Sequence, residues 1–170
     1  IANRNKLTAA RCHLVRPRAP HRTMSGHHDL VRDLHKILAD ATLTTGTICV
    51  GADVCSISEL DQQLKSSGGP GFRSKTFTPH ELDYAQARVD RLATRWAAKE
   101  AIAKAIGTGS RLIEPRQIEI HHDHDSGQPS VRPSDDRPWP NDAHLWRWAV
   151  TLSHHGDAAI AIAIGQPNPE

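Results

Sequence analysis

The feature that most constrains this chain is a long helical pattern that ends at Gly107. No glycine or proline interrupts residues 80–106, and alanine, the strongest helix former, is the commonest residue in the second half of that stretch. The pattern predicts one long helix or two consecutive helices, with Gly107 at the position where a glycine ends a helix. Glu100 and Lys104 are one turn apart, so their side chains lie on one face.

A capping motif marks the start of this helical region. Thr78 is typical of an N-cap, Pro79 of the first helical position, and Glu81 completes a capping box. An apolar stripe then recurs at helical spacing and is expected to face the core. Its members are Val89, Leu92, Ala93, Trp96, and Ala103 or Ile106.

Upstream of the helices, an alternating pattern begins at Gly46 and predicts a strand that ends near Asp53. Aspartate is disfavoured in strands, so Asp53 requires an explanation. It either caps the turn that follows the strand or acts as a ligand. Residues 66–71 combine serine, glycine and proline, which predicts a flexible loop.

The C-terminal third alternates again and predicts β-structure, ending in an antiparallel hairpin. The order of helices and strands predicts an α+β domain over residues 46–165. The predicted segments are a strand at 117–120, a polar turn at 121–129, a loop at 132–142, strands near 146–153 and 159–164, and a hairpin turn at 154–157.

Charge and composition divide the chain and exclude several classes of protein. Residues 1–28 contain six lysines and arginines and no acidic residue, so the remainder is net acidic. Residues 1–45 are interpreted as a basic extension, mostly disordered, with a short helix near 29–41, and residues 166–170 as a tail. No apolar run approaches the roughly 20 residues that cross a bilayer.

Two further observations bear on partners and location. The acidic remainder and an aromatic content of 4% argue against nucleic-acid binding. The three cysteines have no CxxC spacing and fit a reduced compartment better than a disulfide framework, so we expect a cytoplasmic protein.

Asp53 and Glu100 are the best candidates for chemistry. Magnesium takes one or two carboxylates, with phosphate and water in its other positions, and Lys104 and Arg95 would suit a pyrophosphate beside it. Two competing patterns are weaker. Side chains diverge in the histidine-rich turn at 121–125, and Ser153-His154 lacks the GxSxG elbow of a serine hydrolase.

Five separated motifs occur here in a characteristic order. They are GADVCSI at 51–57, FTPHEL at 77–82, RWAAKEAIAKAIGTG at 95–109, IEI at 118–120 with GQP at 127–129, and Ser153-His154 with the Ala-Ile strand after it. This order resembles that of the holo-acyl-carrier-protein synthases, the short single-repeat class of 4′-phosphopantetheinyl transferases. The resemblance covers about residues 46–165.

The resemblance implies a single-domain fold with an antiparallel sheet packed against a long helix. It implies magnesium-dependent transfer of the phosphopantetheine arm of coenzyme A to a serine of an apo acyl carrier protein, with release of adenosine 3′,5′-bisphosphate. Members form homotrimers with active sites between subunits. The expected pathway is fatty acid biosynthesis, with carriers of secondary-metabolite synthesis as the alternative.

The resemblance also assigns roles to particular residues. Asp53 and Glu100 would bind magnesium, and Glu100 and Lys104 would be catalytic. Lys104 and Arg95 would contact the phosphates of coenzyme A. The remaining cofactor-binding residues, which would line or approach the nucleotide, are Gly107, Thr108, Gly109, Ser153 and His154.

Three points stay open at this level. The base that takes the serine proton is either Glu100 or a water on the metal. Exposed cations are expected to dock the acidic carrier protein; they are Arg73, Lys75, Arg88 and Arg91. The alternative to an enzyme is a non-catalytic domain of the same fold that binds coenzyme A or a carrier protein.

Overall fold

A computed structural model describes residues 48–107, 112–123 and 126–167. The basic extension and the helix expected near 29–41 lie outside these residues. Within them, the chain forms an α+β fold, as the sequence predicted. The described part of the chain contains no helix long and apolar enough to span a bilayer.

The described residues form four helices and five strands. In chain order they are β1 Cys49–Ser56, α1 Ile57–Lys65, α2 Gly69–Thr76, α3 Pro79–Ala85, α4 Val89–Ile106, β2 Ile118–His122, β3 Pro129–Pro133, β4 Arg147–His155 and β5 Ala158–Gln166. Two 3₁₀ segments, Pro115–Gln117 and Pro140–Leu145, precede β2 and β4.

The predicted helical region is two helices rather than one. The Thr78 hydroxyl accepts a hydrogen bond from the Glu81 backbone and the Glu81 carboxylate accepts one from the Thr78 backbone, so the predicted capping box is confirmed. The break follows α3, where Gln86 and Ala87 both have positive φ angles. Gly107 ends α4 at a φ of 87°, in the left-handed region that glycine enters without a steric penalty.

Three local predictions are wrong, each for a physical reason. Residues 69–71 begin α2 instead of a flexible loop, because proline suits the first turn of a helix and Phe72 of α2 packs on Trp96 at 5.5 Å. Strand β1 continues past Asp53 to Ser56, whose side chain caps α1. His121 and His122, predicted to lie in a turn, belong to β2. His154 and His155 belong to β4, because the turn between β4 and β5 contains only Gly156 and Asp157.

The larger sheet has the order β1-β5-β4, all antiparallel, which confirms the predicted C-terminal hairpin. Ala159, Ala161 and Ala163 of β5 are buried in the core beneath α4. Ile160, Ile162 and Ile164 alternate with them and lie on the outer face of the sheet. Strands β2 and β3 form a separate two-stranded ribbon.

A buried ion pair joins α4 to the rest of the core. Lys99 Nζ lies 2.8 Å from Glu81 Oε2, and both side chains are fully buried. The ammonium also donates to the carbonyls of Pro115 and Ile118, at 3.0 and 2.5 Å. Glu81 accepts in turn from the Ile120 backbone at 2.9 Å. Burial lowers the pKa of Lys99, and the Glu81 carboxylate opposes that shift.

Close packing between β1 and α4 depends on Gly51. A Cβ atom added there would lie 2.0 Å from the Ala101 carbonyl oxygen and 2.8 Å from the Ala105 nitrogen. Both are backbone atoms of α4 and cannot rotate away. Strand β1 therefore approaches α4 this closely only because residue 51 has no side chain.

We expect Lys99→Met to destabilise the fold by about 3–5 kcal/mol, because it leaves the Glu81 carboxylate buried without its counter-ion. Combined with Glu81→Gln, the loss should be smaller than the sum of the two single losses. Urea unfolding followed by tryptophan fluorescence, at one protein concentration, measures both quantities.

Lys65→Met is the control. It breaks a pair whose lysine side chain is 75% exposed and should cost about 0.5 kcal/mol or less. Equal losses for Lys99→Met and Lys65→Met would contradict this account.

We expect Gly51→Ala to push β1 away from α4 and to lower the melting temperature by several degrees, an effect of about 1–3 kcal/mol. Gly71→Ala is the matched control, because a Cβ at Gly71 meets nothing within 4 Å and alanine favours the α2 helix. Thermal unfolding followed by circular dichroism compares the two variants. A Gly51→Ala protein as stable as the Gly71→Ala protein would refute the close-packing argument.

Candidate active site

Asp53 and Lys104 meet where β1 crosses α4. Asp53 lies on the same face of the sheet as Gly51, because side chains two residues apart in a strand point the same way. Its Oδ1 is 2.6 Å from Lys104 Nζ, which also donates to the Ala52 carbonyl at 3.3 Å. The structure thus pairs two residues that are 51 positions apart in the sequence.

Glu100 lies one helical turn before Lys104 and is half-buried. Burial raises the pKa of Glu100, and the negative charge of Asp53 raises it further, while Lys104 lowers it. The two carboxylates are therefore close enough to repel each other. The structure brings together three of the predicted site residues: Asp53, Glu100 and Lys104.

This cluster fits a hard divalent cation. The charge of Asp53 raises the pKa of Glu100, so a cation between the two carboxylates would relieve their repulsion, and magnesium commonly binds through one or two carboxylates. Among the residues that the structure describes, no group of three or more His, Cys, Asp and Glu side chains could hold a metal ion. Magnesium commonly takes water and phosphate oxygens in the positions that carboxylates leave open.

Gly107 closes the helix that carries this cluster. Its backbone N–H donates to the carbonyls of Ala103 and Lys104, which satisfies two acceptors at the end of α4. Thr108 and Gly109 lie outside the described residues, so their predicted role beside the nucleotide remains a prediction.

Arg95 lies on a different face of α4 from Glu100 and Lys104. Its guanidinium carbon is 4.0 Å from the centre of the Tyr84 ring, and its Nη1 donates to the Arg91 carbonyl at 3.0 Å. Only 3% of Arg95 is exposed, and burial lowers its pKa. Arg95 therefore does not join the carboxylate cluster of its own chain.

Ser153 and His154 also lie away from the cluster. His154 Nε2 is 3.5 Å from Asp90 Oδ2, at the first turn of α4. Gly107 lies at the opposite end of this helix of 18 residues, about 25 Å away at roughly 1.5 Å per residue. Ser153 pairs with Ile160 and lies on the outer face of the sheet. One chain therefore does not place Gly107 and His154 around one nucleotide.

The predicted docking cations have different surroundings. Arg73 and Lys75 are exposed on α2, and Lys75 lines a cleft of about 480 Å³ together with Arg116 and Arg137. Arg91 lines a smaller cleft of about 240 Å³ with Tyr84. Arg88 is bound to Asp90 by two hydrogen bonds, so its charge is largely neutralised. The residues lining the larger cleft do not include Asp53 or Glu100.

Sequence reasoning missed two interactions that support the site. The Glu81 carboxylate was predicted to cap α3, but its ion pair with Lys99 was not, because the two residues meet only in the tertiary structure. Asp157 was placed in a turn. Its Oδ1 accepts from the Ser58 backbone and its Oδ2 from the Ser56 hydroxyl, so it also caps α1 across the sheet.

Comparisons with known proteins agree with this architecture. Residues 49–163 match the model of the 4′-phosphopantetheinyl transferase superfamily. The holo-[acyl-carrier-protein] synthase of Herpetosiphon aurantiacus is 33% identical over 69% of this chain and 98% of its own length. That of Clostridium novyi is 35% identical over 69% of this chain and 86% of its own length.

Solved structures show the same likeness. The acyl carrier protein synthase of Mycobacterium tuberculosis is 35% identical, with a TM-score of 0.54 over 71% of this chain and all of that chain. A synthase–CoA complex from Chronobacterium ammoniagenes is 27% identical, with a TM-score of 0.61 over 72% of this chain and 99% of that chain. The resemblance seen in the motifs is thus confirmed, and the chain belongs to the 4′-phosphopantetheinyl transferase superfamily as a member of its holo-acyl-carrier-protein synthase class.

Proposed function

We propose that this enzyme transfers the 4′-phosphopantetheine group from coenzyme A to a serine of an apo acyl carrier protein, with magnesium and with release of adenosine 3′,5′-bisphosphate. The observation that carries the proposal is the cluster of Asp53, Glu100 and Lys104, which joins β1 to α4. Relatives in the same superfamily are named for this reaction, and one solved neighbour is a complex with CoA. We place the reaction in the cytoplasm.

The chemistry matches what the cluster offers. The serine oxygen forms a bond to the β-phosphorus of coenzyme A, and the bond from that phosphorus to the bridging oxygen breaks, leaving both electrons on the nucleotide. Magnesium held by Asp53 and Glu100 would neutralise charge on the pyrophosphate. Lys104 would place its ammonium beside the same phosphates. The serine proton would pass to Glu100 or to a water on the metal, the two bases that the sequence left open.

We further propose that the complete site forms between copies of the chain in a homotrimer. The residues predicted to bind the nucleotide occur at two ends of α4: Gly107 lies beside the cluster, whereas His154 contacts Asp90. A nucleotide that contacts both groups therefore requires His154 from a neighbouring copy. Head-to-tail contacts of this kind form a closed ring when the rotation between copies closes, as it does at a third of a turn for three copies.

The outer face of the three-stranded sheet supports that association. Val50, Val54, Ile160 and Ile162 are only half-buried on this face, and 39% of Ile164 is exposed. An apolar sheet face is normally covered by another layer of structure. We propose that other copies of this chain cover it.

The transfer itself is tested by incubating the protein with apo acyl carrier protein, coenzyme A and magnesium, and then measuring the mass of the carrier protein. We expect a gain of one phosphopantetheine group.

Asp53→Asn and Glu100→Gln should each lower kcat/KM by about a hundredfold or more, because each removes a metal-binding carboxylate. The magnesium concentration for half-maximal rate should rise in both variants. Asp61→Asn, at an exposed pair on α1, is the control and should leave the rate unchanged. A carrier protein of unchanged mass would refute the proposed function.

The shared site is tested by mixing two inactive variants. Glu100→Gln lacks the carboxylate cluster, and the double variant Ser153→Ala/His154→Ala lacks the residues at the other end of α4. When the two are co-expressed in equal amounts, about a quarter of the sites in a ring of three should combine an intact half from each copy and regain activity.

The control mixes Glu100→Gln with Asp53→Asn. Both variants damage the same half of the site, so no combination of copies restores it. No recovery in the first mixture, from variants that are each inactive alone, would show that one chain supplies the whole site. Recovery in the control would show that Asp53 and Glu100 act in different copies, which contradicts their assignment to one half.

A further inference from the structure

A segment outside the predicted motifs holds the C-terminal end of α4. Asn141 Nδ2 donates a hydrogen bond to the Ile106 carbonyl oxygen at 3.2 Å. Ile106 is the last residue of α4, and its carbonyl is one of the four at a helix C-terminus that lack a donor within the helix. Asn141 therefore supplies a partner that α4 cannot supply itself.

The segment that carries Asn141 is anchored on both sides. Trp139 is 3% exposed and its ring centre lies 6.5 Å from that of Trp148 on β4. Ala143 is fully buried, and its carbonyl accepts from Trp148 Nε1 at 2.8 Å. These contacts attach the segment to β4, so that Asn141 connects the end of α4 to the sheet.

The backbone at this point adopts an unfavourable conformation. Asn141 and Asp142 have φ angles of 57° and 53°, in the left-handed region that disfavours residues with a Cβ. Asn and Asp tolerate this region best, which fits their presence here. Such conformations persist where surrounding contacts enforce them, and they are commonest at functional sites.

The contact lies next to the proposed site. Gly107 directly follows Ile106, and Lys104, which binds Asp53, lies two residues before it. A shift of this turn would displace the Lys104 ammonium and the start of the loop expected to line the nucleotide. Position 141 lies well after the helix and glycine motifs in the sequence, and no pattern in the sequence links the two.

We propose that Asn141 is a positioning residue: its amide fixes the last turn of α4 and thereby sets the affinity for coenzyme A. This inference rests on the proposed function. Asn141 acts through the carbonyl of Ile106 and has no part in the transfer step itself. Its loss should consequently weaken substrate binding more than it slows turnover.

Two variants distinguish the effect of the Asn141 hydrogen-bond donor from the effect of the left-handed backbone conformation. Asn141→Gly keeps the left-handed conformation accessible and removes the donor. Asn141→Asp keeps the size and the tolerance for that conformation, but its carboxylate cannot donate and faces the negative end of the α4 dipole. Asp142→Asn is the matched control. Asp142 has the same backbone conformation, and in the described part of the chain its side chain forms no hydrogen bond to α4.

Hydrogen exchange of the backbone amide of Gly107 measures the turn without any ligand. We expect exchange about fivefold faster in Asn141→Gly, equivalent to the loss of one neutral hydrogen bond of about 1 kcal/mol, and faster still in Asn141→Asp. Calorimetry should show the dissociation constant for coenzyme A rising by a similar factor, whereas kcat changes less than twofold. Asp142→Asn should match the wild type in all three measurements.

Each failure has a distinct meaning. If the Gly107 amide exchanges at the wild-type rate in both Asn141 variants, the proposal that Asn141 fixes the last turn of α4 is wrong. Faster exchange with an unchanged dissociation constant would overturn its role in binding. A wild-type protein that binds no coenzyme A would refute the proposed function and the role in binding with it, and the exchange data alone would then decide whether Asn141 fixes the turn.

Discussion

The ion pair between Lys99 and Glu81 is the interaction on which the rest of this fold depends. Both side chains are fully buried, so each charge is stable only in the presence of the other and of the backbone groups around them. Lys99 donates to the carbonyls of Pro115, just before β2, and of Ile118, at its start, and Glu81 accepts from the backbone of the α3 N-cap and of β2. One pair thus fixes α3, α4 and the β2-β3 ribbon relative to one another.

Neighbouring residues of α4 serve different purposes because they face different directions. Lys99 points into the core towards Glu81, whereas Glu100, the next residue, faces Asp53 on β1. Successive residues of a helix are separated by about 100°. The buried pair therefore fixes the helix from one side, and the carboxylate cluster forms on another. Gly51 completes the arrangement by allowing β1 to approach α4 closely enough for Asp53 to reach Lys104.

Most of the secondary structure was predictable because its signals are local. The capping box at Thr78, the stop at Gly107 and the alternation in β5 each depend on a few adjacent residues, and all three were confirmed. The prediction failed at residues 69–71, where serine, glycine and proline indicated a loop. There the packing of Phe72 on Trp96 stabilises a helix that local propensity alone does not favour.

The sequence by itself determined the α+β class, the start of α3, the end of α4 and the family, because capping, periodicity and motif order are properties of adjacent residues. It also singled out Asp53, Glu100 and Lys104. Only the tertiary structure decided which side chains meet. It joined Asp53 to Lys104 across 51 positions, buried Lys99 against Glu81, and separated His154 from Gly107 by the length of α4. Such contacts are set by how elements pack, and a linear pattern carries no record of that geometry.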